Sequence, residues 1–356
     1  MTSRPSLRRR ASRGFTLIEL MVGLALGFFV ILVVTTVFTN ATSQRRDMER
    51  TGRQIENGRY AMQLLADDIV NAGYFGEFDP RDVGPPGVKP DPCSPNLADM
   101  KNMVMMHVQG YAAADAKPAC ILAYVRAGTA AIAIRRTETC TPTGPGANCD
   151  APVAGRIYLQ SSLCNAELAN PAIDTHYVVK ASPNPAFTLH QHDCATVAPL
   201  REYVMHIYFV ADNNDPGDGV PTLKRADWDP TIGDFKIVPL VEGIENLQFE
   251  YGLDNDANST PDALNADPGT YNGCAADPCY IANWVNTMTV KVHLLSRSLD
   301  ASPGYTDTKT YQLGPVTVVP INDGLKRHAY TGTIRMNNPA GRREGASPPC
   351  RVRSAG

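Results

Sequence analysis

"RGFTLIELMVGLALGFFVILVVTTVFTN", residues 13–40, decides the fold. From Leu20 to Phe38 there are nineteen residues without a charge, and between Phe15 and Phe38 the only charged side chain is Glu19. About twenty apolar residues rising 1.5 Å each span a hydrocarbon core of roughly 30 Å. Ahead of the run stand Arg4, Arg8, Arg9, Arg10 and Arg13, with no acid among them. That favours a cytoplasmic N-terminus and a translocated remainder. Beyond the run, Arg45, Arg46, Arg50 and Arg53 are only partly balanced by Asp47 and Glu49, so charge asymmetry alone does not fix the orientation. A secretory signal has an apolar region of about 7–15 residues with a small-residue cleavage site after it. Here the run is longer, and the small residue, Gly14, precedes it. An uncleaved anchor explains the span but not Glu19.

A carboxylate in a membrane helix costs at least ~2.5 kcal/mol, and such residues face a partner. Cleavage after Gly14 would give Phe15 a positive terminal amine. In a bundle of such helices, Glu19 of one copy would meet the Phe15 amine of a neighbour, and the pair would offset the cost.

With these residues in view, "RGFTLIEL" resembles the prepilin signature of type IV pilins and of the pseudopilins of type II secretion. The resemblance implies a prepilin peptidase that cuts between Gly14 and Phe15 and methylates Phe15. It makes Glu19 the assembly glutamate and the apolar helix the core of a filament. It also implies a fold class: α+β, a long N-terminal helix packed on a large antiparallel β-rich domain. The expected divisions are a leader at 1–14, a helix at 15–73 with 15–38 in membrane or filament core, and a globular domain at 74–356.

After Pro5 the next proline is Pro80, so none interrupts the helix. Met48, Ile55, Met62, Leu65 and Ile69 predict one apolar stripe, with Arg53, Glu56, Arg59, Asp67 and Asp68 on other faces. Asn71 and Gly73 supply a C-terminal stop. Pilins of the major class carry a helix-breaking proline in the membrane half; this chain has Thr35 and Thr36 there. Gly23 and Gly27 form G-x-x-x-G, which permits close helix approach, although glycine pairs in apolar runs are common. From residue 74 the texture changes to proline- and glycine-rich loop and then to short β-rich runs, among them "MVMMHV" (103–108), "ILAYV" (121–125), "AAIAIRR" (130–136), "YVMHIYFV" (203–210), "ENLQFEYG" (245–252) and "AYTGTIRM" (329–336). "TMTVKVHLL" alternates, with Met288, Val290, Val292 and Leu294 on one face and Thr287, Thr289, Lys291 and His293 on the other.

"GRYAMQLLADDIVNAGYFG" (58–76), "VEGIENLQFEYGLD" (241–254), "VKVHLLSRS" (290–298) and "RHAYTGTIRMNN" (327–338) are similar to the PilW group of minor pilins. That likeness implies a low-abundance subunit near the pilus tip that helps prime assembly and supports twitching, attachment and DNA uptake. The implied partners are other major and minor pilins, the prepilin peptidase, the inner-membrane assembly machinery and a tip adhesin. The implied location is the inner membrane with the domain periplasmic, then the surface pilus. The other readings are a type II pseudopilin and a membrane-anchored binding domain. The largest tip pseudopilin of the secretion systems lacks the glutamate that this chain keeps.

The nine cysteines all follow the apolar run, and translocation would place them where disulfides form. Local spacing nominates Cys140–Cys149 and Cys274–Cys279, then Cys93–Cys120 and Cys164–Cys194, leaving Cys350 single. Against disulfides stands a metal reading of "LHQHDC", with His190, His192 and Cys194 on one strand face but no fourth ligand nearby. "DNDANSTPDALN" places Asp254, Asp256, Asn258 and Asp262 at positions 1, 3, 5 and 9 of a calcium loop, with Thr260 at the backbone position. Position 6 is Ser259 rather than glycine and position 12 is Asn265 rather than glutamate, so the segment reads as calcium loop or as ordinary turn. No other cofactor is indicated. No nucleophile elbow, phosphate-cradling loop or two-histidine metal motif points to an enzyme. Thirty-three basic against thirty-six acidic residues give −3; without the leader's five arginines, twenty-eight against thirty-six give −8. An acidic mature chain carries no basic stripe of the kind that dominates nucleic-acid binding.

Overall fold

Helix α1 runs from Leu17 to Val70 in a computed structural model that describes residues 14–344 other than 83, 95, 145, 171, 173–175 and 275. Helix α2 (Leu97–Asn102), strand β1 (Val108–Tyr111), helix α3 (Ala119–Leu122), β2 (Ala131–Thr137), β3 (Ile157–Ser161), helix α4 (Asn165–Leu168), β4 (Tyr177–Ala181), β5 (Arg201–Ala211), β6 (Thr222–Asp229), β7 (Asp234–Glu242) and β8 (Ile244–Leu253) follow. The chain continues with β9 (Ala263–Asn265), helix α5 (Asp277–Val285), β10 (Thr287–Arg297), β11 (Tyr311–Leu313), β12 (Val316–Val318), β13 (Arg327–Arg335) and helix α6 (Asn337–Glu344). Two compact units emerge, one ending at Thr51 and the other beginning at Gly52, inside α1.

In the first unit, large apolar side chains from Phe15 to Phe38 are exposed. By length and composition α1 is able to cross a membrane there. The helix passes unbroken through Thr35 and Thr36. Their hydroxyls donate back to carbonyls one turn earlier, Thr35 to Ile31 (2.7 Å) and Thr36 to Leu32 (3.0 Å) and Val33 (2.8 Å). That local bonding satisfies both hydroxyls in an apolar surround.

The second unit is built on antiparallel sheets. β1-β2-β5-β3-β4 form one path, with β6 also paired to β5 and β7 beyond it. β13-β10-β8-β9 form a second sheet, and β11 and β12 a two-stranded ribbon. Strands β2 and β5 are buried on both faces, because alternate residues feed two separate cores. Ile132, Ile134, Tyr208 and Val210 point into a core shared with Leu65 and Ile69 of α1 and with Leu247, Val290 and Val292 of the second sheet. Ala131, Ala133, Ile207 and Phe209 point the other way, to Phe75, Met100, Met103, Tyr111 and Leu159. Small residues on one face of β2 and large ones on the other fit the two different spacings.

The apolar stripe predicted for α1 holds only in its second half, where Leu65 and Ile69 are buried and Met62 packs against the core. Met48 is 74 % exposed and Ile55 40 % exposed, whereas the inward face carries Gln54, Gly58, Ala61, Leu65, Asp68 and Ile69. Two contacts add other residues to the inward face. Gly58 lets the Tyr330 ring close in: a Cβ there would lie 2.3 Å from Cε2. Asp68, expected on a solvent face, is buried and bonded to Arg136 (Nε–Oδ1 2.6 Å), His206 (Nδ1–Oδ2 2.7 Å) and the Tyr208 hydroxyl (2.9 Å). Burial alone would raise the Asp68 carboxyl, but His206 and Arg136 outweigh it and hold it well below the usual carboxylate range. The helix ends at a turn in which Gly73 takes a left-handed φ of +72°. There α6 bonds carbonyls of the turn: Asn338 Nδ2 reaches Asn71 and Ala72, and Arg342 Nη2 reaches Gly73 at 2.9 Å.

Two expected strands are also corrected. In "MVMMHV", Met103–Met105 form a 3₁₀ turn after α2 and the strand begins only at Val108. Consecutive burial of Met103 and Val104 is a run that periodicity cannot tell from a buried helical segment. In "ILAYV", the chain is helical from Ala119 to Leu122 behind Pro118, and Val125 alone meets the sheet by a single bridge to Ala211.

Candidate assembly and processing site

Gly14 and Phe15 precede the first helical turn, and the Phe15 side chain is 86 % exposed. Thr16 and Glu19 close that turn reciprocally. The Thr16 amide and hydroxyl both donate to Glu19 Oε2 at 2.9 Å, and the Glu19 amide donates to Thr16 Oγ1 at 3.4 Å. This is a capping box: threonine accepts from the amide three residues on, and glutamate reaches back. Thr16 is therefore a capping residue missed by sequence reasoning, although T-x-x-E was visible in "TLIE". Glu19 Oε1 has no partner in the described chain. Built Cβ atoms on Gly23 and Gly27 would meet nothing within 4 Å, so both glycines present open backbone.

The nominated cysteines lie in four disulfides. Cys93 is joined to Cys120, Cys140 to Cys149, Cys164 to Cys194 and Cys274 to Cys279. Cys350 lies outside the described residues. The bond to Cys164 removes Cys194 from any metal set, and His190 is instead held by Glu167 (Nδ1–Oε1 2.6 Å). The metal reading of "LHQHDC" therefore falls.

At the calcium-like loop, carboxylate oxygens of Asp254, Asp256 and Asp262 lie within 4.8 Å of one another. Asp254 is fully buried and already engaged. Its oxygens accept from the amides of Ser259 (2.8 Å) and Asn258 (3.2 Å), and Oδ2 lies 3.0 Å from Arg343 Nη1. Burial would raise this carboxyl, but the Ser259 amide and Arg343 lower it below its ordinary value. Asn258 Oδ1 accepts from the Thr260 amide (2.8 Å) and hydroxyl, and Asn258 Nδ2 donates to Asp256 at 2.8 Å. Asp262 Oδ2 accepts from the Asn255 amide at 2.7 Å. The oxygens that would converge on a cation are thus bonded within the turn and to Arg343.

Comparison with known proteins bears on both ends of the chain. Residues 9–35 match the family model of the prokaryotic N-terminal methylation motif. Residues 207–338, from within β5 to the start of α6, match that of the type IV pilus-assembly protein W. No curated protein matches. Among solved structures, a type IV-like pilin from Thermus thermophilus is similar at 12 % identity over 52 % of this chain and 86 % of that one, with a TM-score of 0.19, a likeness too slight to add to the fold described above. Proteins of the pilin family are structural rather than enzymatic in general, and that family implies interaction with other pilins and with the assembly machinery. The methylation motif and the apolar helix suggest membrane anchoring. A methylation motif at the start, a pilus-assembly match across the later strands and a long apolar helix followed by antiparallel sheets are what this chain has in common with the PilW-type minor pilins of type IV pili.

Proposed function

We propose that the chain is cut behind Gly14, methylated on Phe15 and assembled as a minor subunit near the tip of a type IV pilus. There it helps prime filament assembly and serves twitching, adhesion or DNA uptake. The observation that carries this reading is the exposed apolar run of α1 with a single carboxylate, Glu19, one turn from the new terminus. Such a surface needs lipid or like helices around it, and Glu19 Oε1 is free to accept the amine of a neighbouring copy. Before assembly the leader lies in the cytoplasm and the domain in the periplasm, a placement supported by four disulfides in the second unit.

The test is the intact mass and N-terminal sequence of the protein extracted from its native membranes. A chain beginning at N-methyl-Phe15 is expected. One still beginning at Met1, or cut after the apolar run, overturns the reading. Deletion is expected to reduce surface pili and leave protein secretion intact; the reverse result would assign the chain to a type II machine. Glu19→Ala is expected to leave membrane insertion unchanged and to abolish incorporation into pili.

A further inference from the structure

Residues 36–206 lie between the two family matches and hold three of the four disulfides. A cleft of about 350 Å³ opens among them at the rim of the second core. Its floor is strand β3, where Leu159 and Ser161 lie on the same face, and Arg201 is the register partner of Leu159. Leu163 and Pro199 complete the apolar lining.

Both walls are pinned. On one side Cys140–Cys149 closes a loop in which Thr141 and Asn148 exchange hydrogen bonds, and Thr143 accepts from the Leu200 amide at 2.9 Å. On the other side Cys164–Cys194 closes a loop held by Glu167, which accepts from His190 and Ser162. Polar side chains face the space with their hydrogen-bonding capacity unused. Among the described residues, Glu77, Thr141, Ser161, Gln191 and His192 make no side-chain hydrogen bond, and Arg201 donates only through Nη1, to the Thr139 carbonyl. A cleft of similar size across the sheet differs on this point. Its Arg136, Arg156 and Arg225 are each committed to a carboxylate, so a ligand there would have to break ion pairs.

We propose that the cleft bounded by the two disulfide loops is a binding site for a neutral sugar residue. Vicinal hydroxyls donate and accept at once, and they match planar groups that bond in pairs: the Arg201 guanidinium, the Gln191 amide and the Glu77 carboxylate. Single hydroxyls on Ser161 and Thr141 complement the remaining ring positions, and the sugar's C–H face rests on Leu163 and Pro199. The volume lies in the range of small-ligand sites, which combine apolar walls with a few placed polar groups. One cation and one carboxylate line the same space, which favours an uncharged ligand. Pinned walls reduce the ordering cost of binding.

The experiment is saturation-transfer NMR on the full-length protein in an amine-oxide detergent, since glycoside detergents would compete. The probes are galactose, N-acetylglucosamine and glucuronate. Saturable transfer to at least one neutral sugar is expected, with binding weakened about tenfold by Gln191→Ala and by Arg201→Lys and unchanged by Lys236→Ala on the β7 edge. Gln191 bonds to nothing through its side chain, so its variant keeps the fold even if Arg201→Lys, which loosens the packing on Tyr74, does not. Absence of transfer to both neutral sugars, stronger binding of glucuronate, or neutral-sugar binding left unweakened by Gln191→Ala overturns the proposal. None of these results depends on whether the chain enters a pilus.

Discussion

Replacing Asp68 by asparagine tests whether the second half of α1 is locked to the sheet by charge. The carboxylate is buried and meets Arg136, His206 and the Tyr208 hydroxyl within 2.9 Å, while Arg136 keeps only Glu138, at 3.1 Å, as another acid. Removing one partner of a buried ion pair costs about 3–5 kcal/mol, because the remaining groups are left uncompensated. At about 2 °C per kcal/mol for a domain of this size, melting should fall by about 6–10 °C at pH 7. The pH dependence separates this cluster from simple packing. Asp68 is held below its ordinary value in the folded chain, so in acid the unfolded chain takes up its proton first. The stabilisation is complete above the unfolded pKa of about 3.9 and is lost as pH falls towards the folded value. Between pH 4 and pH 3 the native protein should lose about 1 kcal/mol more than Asp68→Asn. Urea unfolding at pH 3, 4, 5 and 7, followed by fluorescence of Trp228 and Trp284, measures the difference. Equal slopes for the two proteins, or a loss under about 1 kcal/mol at pH 7, would refute the ionic lock.

Other consequences are open to direct measurement. Gly58→Ala should cost about 1–3 kcal/mol through the clash with Tyr330, whereas Gly52→Ala, with nothing within 4 Å, should gain up to about 1 kcal/mol; thermal melts of both isolated variants compare them. Calcium at millimolar concentration should leave the melting temperature unchanged, since Asp254 already pairs with Arg343, and a rise seen by calorimetry would count against that account. Reduction should expose at least eight cysteines that alkylation without reductant leaves unlabelled; a smaller increase contradicts the four disulfides.

The helix, the spacing of the cysteine pairs and many of the strands were legible because each rests on local pattern. Strand β10 is instructive: Val290 and Val292 enter the core as alternation predicts. Yet His293 on the opposite face is buried too, bonded to Glu250 at 2.8 Å and to Thr331 at 3.0 Å, because β10 lies between β8 and β13. Burial would raise the Glu250 carboxyl, but His293 and Lys291 lower it. What periodicity missed were residues whose role is set by distant partners. Asp68 looked like a solvent-facing acid, since Arg136 and His206 lie far along the chain. Gly58 carried no apolar signal, yet it lets Tyr330 of strand β13 approach the helix. Helix α5 had a readable start in Asp277 and Pro278 and an inward face in Ile281 and Trp284, but it is only nine residues long and sits between loops. The open cleft was beyond reach because Glu77, Ser161, Gln191 and Arg201 converge only through the sheet and the disulfide loops.

Glu19 joins the two halves of the problem. Its carboxylate stands at the positive end of a helix dipole and accepts two bonds from Thr16. A capping interaction of this kind contributes about 1 kcal/mol, while a carboxylate in hydrocarbon costs at least about 2.5 kcal/mol. The local cap therefore offsets part of the cost but not all of it. In the assembly proposed above, the remainder falls to the free Oε1 and the methylated amine of another copy. Thr16 then has a double role. It shapes the first turn of the helix, and it holds the carboxylate so that only one oxygen is committed before a neighbour arrives. An aspartate at position 19 would keep the charge but, one methylene shorter, would not reach back to Thr16 and forward to a neighbour at once. The proposed assembly thus requires the length of glutamate as well as its charge.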